Sequence, residues 1–301
     1  MASVKRIGII GLDTSHAPVF TQLLNDPTHE FHVPGGVVTS AFPGGSADFE
    51  LSYSRVEGFT EQLRMQPGVK IVDSPEEAAE ACDAILLLAV DGRAHLALFQ
   101  RIAAYGKPVF IDKPMAVSYA EAAAIAELAK LNGVPLMSCS ALRYAEALTE
   151  ALTDNKAGPV IGMDCYGPMA LQATQPGLFW YGVHMAEMLF RTLGKDCKKV
   201  LAVTNEDHDL ISGVWENGSI GTMRGNRKGN NQFGALLHRE NRTAHIDVYS
   251  HPKSYYASLL ERIMSMFLTG VTDIDGDETL QIIRFMEAAN ESRVTGRFVD
   301  L

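Results

Sequence analysis

The sequence has little cysteine, few tryptophans and no long apolar run. Its four cysteines, Cys82, Cys139, Cys165 and Cys197, form no C-x-x-C pair, which speaks against a zinc site or a disulfide framework and predicts reduced, mostly buried thiols. The longest purely apolar run, Ala84 to Val90, has seven residues, against roughly 20 for a helix that crosses a bilayer. The first residues lack a long apolar segment with a small-residue cleavage site; Val4 to Gly11 reads as a strand entering a glycine turn. The expectation is a cytoplasmic protein with no membrane partner. Positive charge is also scarce. With 26 Lys and Arg against 36 Asp and Glu, the net charge is −10, which opposes nucleic acid as a partner and favours a small molecule.

What is present suits a globular enzyme or binding protein. At roughly 150 residues per domain, 301 residues suggest two domains, and 47% apolar with 21% charged residues are ordinary globular values. Strand-like and helix-like patterns alternate over the first 140 residues, the signature of βαβ units on a parallel sheet. Val4–Ile10, Val37–Ala41, Ala84–Val90, Pro108–Ile111 and Val134–Ser138 read as strands. Ser74-Pro75-Glu76-Glu77 and Ser118 with Glu121 read as capping boxes that start helices, and Gly133 suits a helix C-terminus. Beyond that point Asp209–Met223 and Thr243–Tyr249 alternate in the manner of an antiparallel sheet. The predicted organisation is α/β: residues 1–130 a Rossmann-like parallel sheet, and residues 131–301 an α+β domain on a mainly antiparallel, open-faced sheet. The final helical pattern, Leu280 to Met286, covers that sheet or returns to the first domain.

Three signals are set aside. Asp273, Asp275 and Asp277 lack the calcium-loop pattern and read as a helix N-terminus. His29-Glu30-Phe31-His32 is no zinc motif and reads as a solvated loop, so no metal is expected. Arg224, Arg227, Lys228, Arg239 and Arg242 lack the interleaved aromatics of a nucleic-acid surface and read as a hairpin loop at a subunit interface or near an anionic substrate.

Gly106-Lys107-Pro108-Val109-Phe110-Ile111-Asp112-Lys113-Pro114 resembles the G-K-x-V-x-x-E-K-P segment of the glucose–fructose oxidoreductase and inositol dehydrogenase family, Gfo/Idh/MocA, with aspartate for glutamate. Its place directly after a predicted strand matters, because ligands bind beyond the carboxyl ends of such strands. Further similarities follow in order: Val90-Asp91-Gly92-Arg93-Ala94-His95, Leu142-Arg143-Tyr144, Gly158 to Gly162, Glu216 to Gly221, and Phe179-Trp180-Tyr181-Gly182-Val183-His184-Met185-Ala186-Glu187. The resemblance implies hydride transfer between NAD or NADP and a sugar or polyol carbinol, in a cleft between the domains. It also implies that Lys113 polarises the substrate oxygen and His184 exchanges its proton, with Arg143, Trp180 and Tyr181 contacting substrate. Asp91, His95 and Asp112 would lie against cofactor, and the chain would form a homodimer or homotetramer through the open sheet.

Two stretches depart from the family pattern. The turn Gly11-Leu12-Asp13-Thr14-Ser15-His16 keeps only the first glycine of G-x-G-x-x-G. Either Thr14, Ser15 and His16 offer donors to a phosphate or to substrate, or Asp13 or Ser15 caps the following helix. The second strand has no acid for an adenosine ribose, leaving Ser40 and Ser46 as contacts and NADP as well supported as NAD. Trp180 stands where the family has aspartate, which points to a changed substrate or reaction. The competing reading is a non-redox descendant, either a sugar-binding or regulatory module or a lyase or isomerase using Lys113 and His184.

Overall fold

The structure, a computed structural model, describes residues 4–301. They form two compact units. The first runs up to Ala116 and adds Ala120–Cys139 and Tyr256–Gly276; the second consists of Val117–Tyr119, Ser140–Tyr255 and Asp277–Leu301.

The first unit contains β1 (Lys5–Ile10), α1 (His16–Asn25), β2 (Gly36–Phe42), α2 (Glu50–Tyr53), α3 (Val56–Arg64), β3 (Lys70–Ile71), α4 (Pro75–Ala81), β4 (Ala84–Leu87), α5 (His95–Ile102), β5 (Val109–Ile111), α6 (Tyr119–Leu131) and β6 (Leu136–Ser138). The strands form one parallel sheet in the order β3-β2-β1-β4-β5-β6, with the order reversing beside β1. Ligands bind at the carboxyl ends next to such a reversal. Every residue of β4 is buried, as its apolar run demands of a strand covered on both faces. Ser74 caps α4 by accepting the Glu77 N–H at 3.2 Å, and Gly133 has φ +62°. The unit extends past residue 130 because β6 pairs with β5.

The second unit contains α7 (Glu146–Thr153), β7 (Val160–Pro168), α8 (Gly182–Leu193), β8 (Cys197–Thr204), β9 (His208–Trp215), β10 (Ile220–Asn226), β11 (Gly234–Arg239) and β12 (Thr243–Asp247). After α9 (Tyr255–Thr269) it continues with α10 (Gly276–Thr295) and β13 (Val299–Asp300). Its seven-stranded sheet runs β12-β11-β7-β10-β9-β8-β13 and is antiparallel except where β10 meets β7. Helices α8 and α10 press on one face so closely that a β-carbon at Gly221 would lie 2.7 Å from Leu193, and one at Gly213 would lie 3.0 Å from Phe285. The other face leaves Val203, Leu210, Ile220 and Leu236 exposed.

Helix α9 belongs almost wholly to the first unit. Its Met264 and Leu268 lie against Gly35 and Gly36, where a β-carbon on Gly36 would come within 2.9 Å of Met264. All four cysteines are buried and outside any disulfide, and no helix among the described residues is long and apolar enough to cross a membrane. Four of the five basic side chains of the stretch have protein partners. Arg227 pairs with Asp209 at 2.6 Å, Lys228 with Asp207 at 3.0 Å and Arg242 with Asp154, while Arg239 donates to the carbonyls of Gly158, Ala151 and Leu152. Arg227 and Arg239 brace turns in this way, while Arg224, Lys228 and Arg242 keep exposed side chains.

Candidate active site

In the first unit the carboxyl ends of β1, β4 and β5 bring together the glycine turn, the segment after Leu87, and Asp112 with Lys113. Gly11 has φ +99°, and a β-carbon there would sit 2.4 Å from the Ala89 amide nitrogen, so only glycine fits. The Gly11 and Leu12 amides donate to Phe42 and Pro43 carbonyls at 2.9 and 2.7 Å, tying this turn to the loop after β2. Asp13, fully buried, does not cap α1. Its carboxylate accepts the Val90 N–H at 2.9 Å and the Ser52 hydroxyl at 2.6 Å, and Ser52 in turn accepts the Ser46 N–H at 2.7 Å. Burial pushes the Asp13 carboxyl up, while those two donors oppose the rise. Ser15 makes no side-chain cap bond either; a carboxylate drawn into the sheet end is out of reach of the helix amides, which corrects the capping alternative.

The turn nevertheless suits a dinucleotide diphosphate. Asp13 directs its charge inward, so it does not face an incoming anion. Among the described residues the Thr14 and Ser15 amides donate to no backbone carbonyl, and the Ser15 hydroxyl is exposed. Three donors at the start of a helix are a suitable anion cradle. Thr14 itself is buried, and its hydroxyl accepts the His16 N–H at 3.4 Å.

Three expected cofactor contacts are committed to the protein instead. Ser40 is 1% exposed and bonds the Ala78 carbonyl at 3.5 Å, because it lies inside β2 under α4 rather than at the strand's end. Asp91 accepts from the Arg93 guanidinium at 2.7 Å, and Arg93 also grips Asp48 at 2.8 Å. His95 is fully buried, with one ring nitrogen 2.7 Å from the Ala89 carbonyl and the other 3.0 Å from that of Pro114. It braces the chain just after Lys113, where the Lys113–Pro114 peptide is cis.

Asp112 and His16, 96 positions apart, meet with Nδ1 2.5 Å from Oδ2. The other carboxylate oxygen accepts the Lys113 backbone N–H at 2.8 Å. Burial alone would raise the Asp112 carboxyl, but His16 and Lys113 together hold it below the ordinary range. The Lys113 ammonium is lowered by burial and by Arg55, with Asp112 opposing. The His16 ring also stacks on Phe20 at 5.5 Å and meets the edge of Tyr256 at 4.9 Å.

The second unit carries the remaining expected residues. His184 Nδ1 lies 2.6 Å from the Ser140 hydroxyl, and its ring packs beside Tyr181 at 5.8 Å and Phe233 at 5.3 Å. Tyr181 stacks on Phe233 and keeps part of its ring open. Trp180 is 8% exposed, leaving little of it for a ligand. Arg143 is corrected as a substrate contact. It is 6% exposed, and its guanidinium spans Glu187 at 3.2 Å and Glu278 at 2.5 Å. Burial and Glu278 push the Glu187 carboxyl up to about 7 against the pull of Arg143, so this cation is needed inside the unit. Sequence reasoning missed Ser52, Ser140 and Tyr256, which lie in no motif.

Residues 5–139 match the model of an oxidoreductase family, GFO_IDH_MocA, described as having an NAD-binding Rossmann fold. No curated protein sequence gives a significant match. Among solved structures, GenD2 from gentamicin A biosynthesis in complex with NAD superposes with a TM-score of 0.78 at 17% identity, covering 100% of this chain and 97% of that one. Myo-inositol 2-dehydrogenase from Lactobacillus plantarum gives 0.78 at 16% identity, with 99% and 100% coverage. Aldose-aldose oxidoreductase from Caulobacter crescentus, complexed with glycerol, gives 0.76 at 18%, with 98% and 99%. At these identities the likeness establishes the fold.

Proposed function

We propose that this chain, whose residues 5–139 carry the NAD-binding Rossmann fold of the Gfo/Idh/MocA oxidoreductases, is a dehydrogenase that oxidises a sugar or polyol carbinol. The observation that carries the reading is Lys113. It is an ammonium of lowered pKa, following the strand next but one to β1, with a carboxylate directly before it. A bound nicotinamide dinucleotide, NAD or NADP, supplies hydride acceptance. The Thr14 and Ser15 amides and the Ser15 hydroxyl would hold its diphosphate, while Ser46 lies in the loop that would meet the adenosine end.

Lys113 Nζ donates to the substrate oxygen and stabilises the alkoxide character that grows as the carbinol is oxidised. His184, in the second unit, is the proposed proton acceptor, with the Ser140 hydroxyl holding its Nδ1 side. Tyr181 supplies an aromatic face on which the apolar side of a sugar ring can rest. The names of the solved relatives, an inositol dehydrogenase and an aldose oxidoreductase among them, support a cyclitol or sugar as substrate class.

The test is an assay of cyclitols, aldoses and linear polyols with NAD and NADP, following formation of the reduced nicotinamide. Deuterium on the reacting carbon of an active substrate should slow turnover. Failure of every carbinol with both cofactors would turn attention to a non-redox reaction. The observation favouring that second reading is the pair of Gly11 and Leu12 amides, which bond the neighbouring loop.

A further inference from the structure

We propose that His16, oriented by Asp112, is a proton-accepting catalytic residue that works beside Lys113. The inference rests on the dehydrogenase reading for the source of the proton, but the pair itself is a feature of the chain. Position 16 is where a dinucleotide turn has its packing glycine, and here a ring-bearing side chain occupies it instead.

The geometry is that of an imidazole aligned by a carboxylate. Both side chains are nearly buried, 12% and 5% exposed, and 2.5 Å separates Nδ1 from Oδ2. Phe20 stacks on the ring and Tyr256 of α9 meets it edge-on, which fixes the ring plane. With Asp112 held below the ordinary range, its carboxylate can only accept, so the proton between them resides on Nδ1. In the neutral ring Nε2 then carries the lone pair. Among the described residues Nε2 makes no hydrogen bond to protein.

The groups that face or act on the pair are few. Asp112 and Lys113 follow β5, the Tyr256 phenol belongs to α9, Phe20 of α1 is apolar, and Arg55 acts on Lys113 rather than on the ring. Asp112 therefore serves two partners, one oxygen on the imidazole and the other on the Lys113 main chain. On this inference His16 takes the proton in place of His184: when the hydroxyl at Lys113 ionises, its O–H bond breaks with the electron pair left on oxygen, and an N–H bond forms at His16 Nε2. Asp112 is a positioning residue: it selects the tautomer and stabilises the imidazolium once formed.

His16→Gln and the near-isosteric Asp112→Asn test the inference in two ways. Long-range proton–nitrogen NMR of the wild-type protein, assigned against His16→Gln, should show the neutral ring protonated on Nδ1, and Asp112→Asn should shift those resonances. In steady-state kinetics His16→Gln should lower kcat by about 100- to 10,000-fold and leave KM for the dinucleotide within a few fold. A ring protonated on Nε2 overturns the inference. So does a His16→Gln enzyme that regains full kcat at saturating cofactor, which would make His16 a phosphate contact only. If the wild type oxidises no carbinol, the dehydrogenase reading fails separately, and the NMR result alone decides whether the pair stands as a base.

Discussion

Asp13 offers a sharp test of how the altered turn is built. Replacing it with alanine removes acceptors from the Val90 amide and the Ser52 hydroxyl, at 2.9 and 2.6 Å, in a place with no exposure. Hydrogen bonds to a charged group contribute about 1.5 to 3 kcal/mol each. Part of that sum is already offset, because burial opposes the carboxylate. A net loss of about 2 to 4 kcal/mol follows. Asp13→Asn keeps the shape, presents its oxygen to Val90 and its amide to Ser52, and should cost much less.

The pH dependence has a definite sign. The folded carboxyl lies above its unfolded value of 3.8, so its contribution is fully present below that value and lost as pH rises through the folded pKa. Wild type should therefore gain stability over Asp13→Asn as pH falls from neutrality towards 4. Both tryptophans, Trp180 and Trp215, belong to the second unit, so their fluorescence does not report on the turn. Urea unfolding by circular dichroism at several pH values, with hydrogen exchange at the Val90 amide, does. An alanine variant as stable as wild type, or a wild-type advantage over Asp13→Asn that does not vary with pH, would refute the reasoning.

Other consequences can be checked with single substitutions. Lys113→Met should lower turnover by about 100- to 10,000-fold with an unchanged circular dichroism spectrum; an unchanged rate removes Lys113 from the chemistry. Arg143→Met strands Glu187 and Glu278 and should destabilise the second unit by about 3 to 5 kcal/mol, read by tryptophan fluorescence in urea. Glu187, pushed up from 4.5 to about 7, contributes stability that is present below pH 4.5 and lost as pH rises through about 7, so Glu187→Gln should flatten the wild-type profile over that window. If the open sheet joins copies of the chain, Leu210→Lys beside the exposed Val203 should lower the molecular mass seen by sedimentation, whereas an unchanged mass would exclude this face.

Much of the architecture was readable from local pattern. The all-apolar β4, the Ser74 cap, Gly133 and the alternating strands of the second sheet each depend on neighbours within a few residues, and each appears where expected. Long-range pairing was not readable. Helix α9 has an apolar face, but nothing local says that it returns to Gly35 and Gly36. Arg143 sits in a motif that points to substrate, and only folding brings Glu278 to it. His16 looked like a phosphate donor because its partner Asp112 stands on another strand end. Asp13 read as a helix cap because its two donors, Ser52 and the Val90 amide, lie 39 and 77 positions away.

The central claim is that this turn still accepts a nicotinamide dinucleotide. Titrating the purified protein with NADH and with NADPH, while following nicotinamide fluorescence, tests it most directly. The account predicts saturable binding of at least one of the two, weakened when Ser15 is replaced by a side chain too large for the helix start. No binding of either at millimolar concentration would contradict it and leave the first unit a Rossmann fold that serves other chemistry.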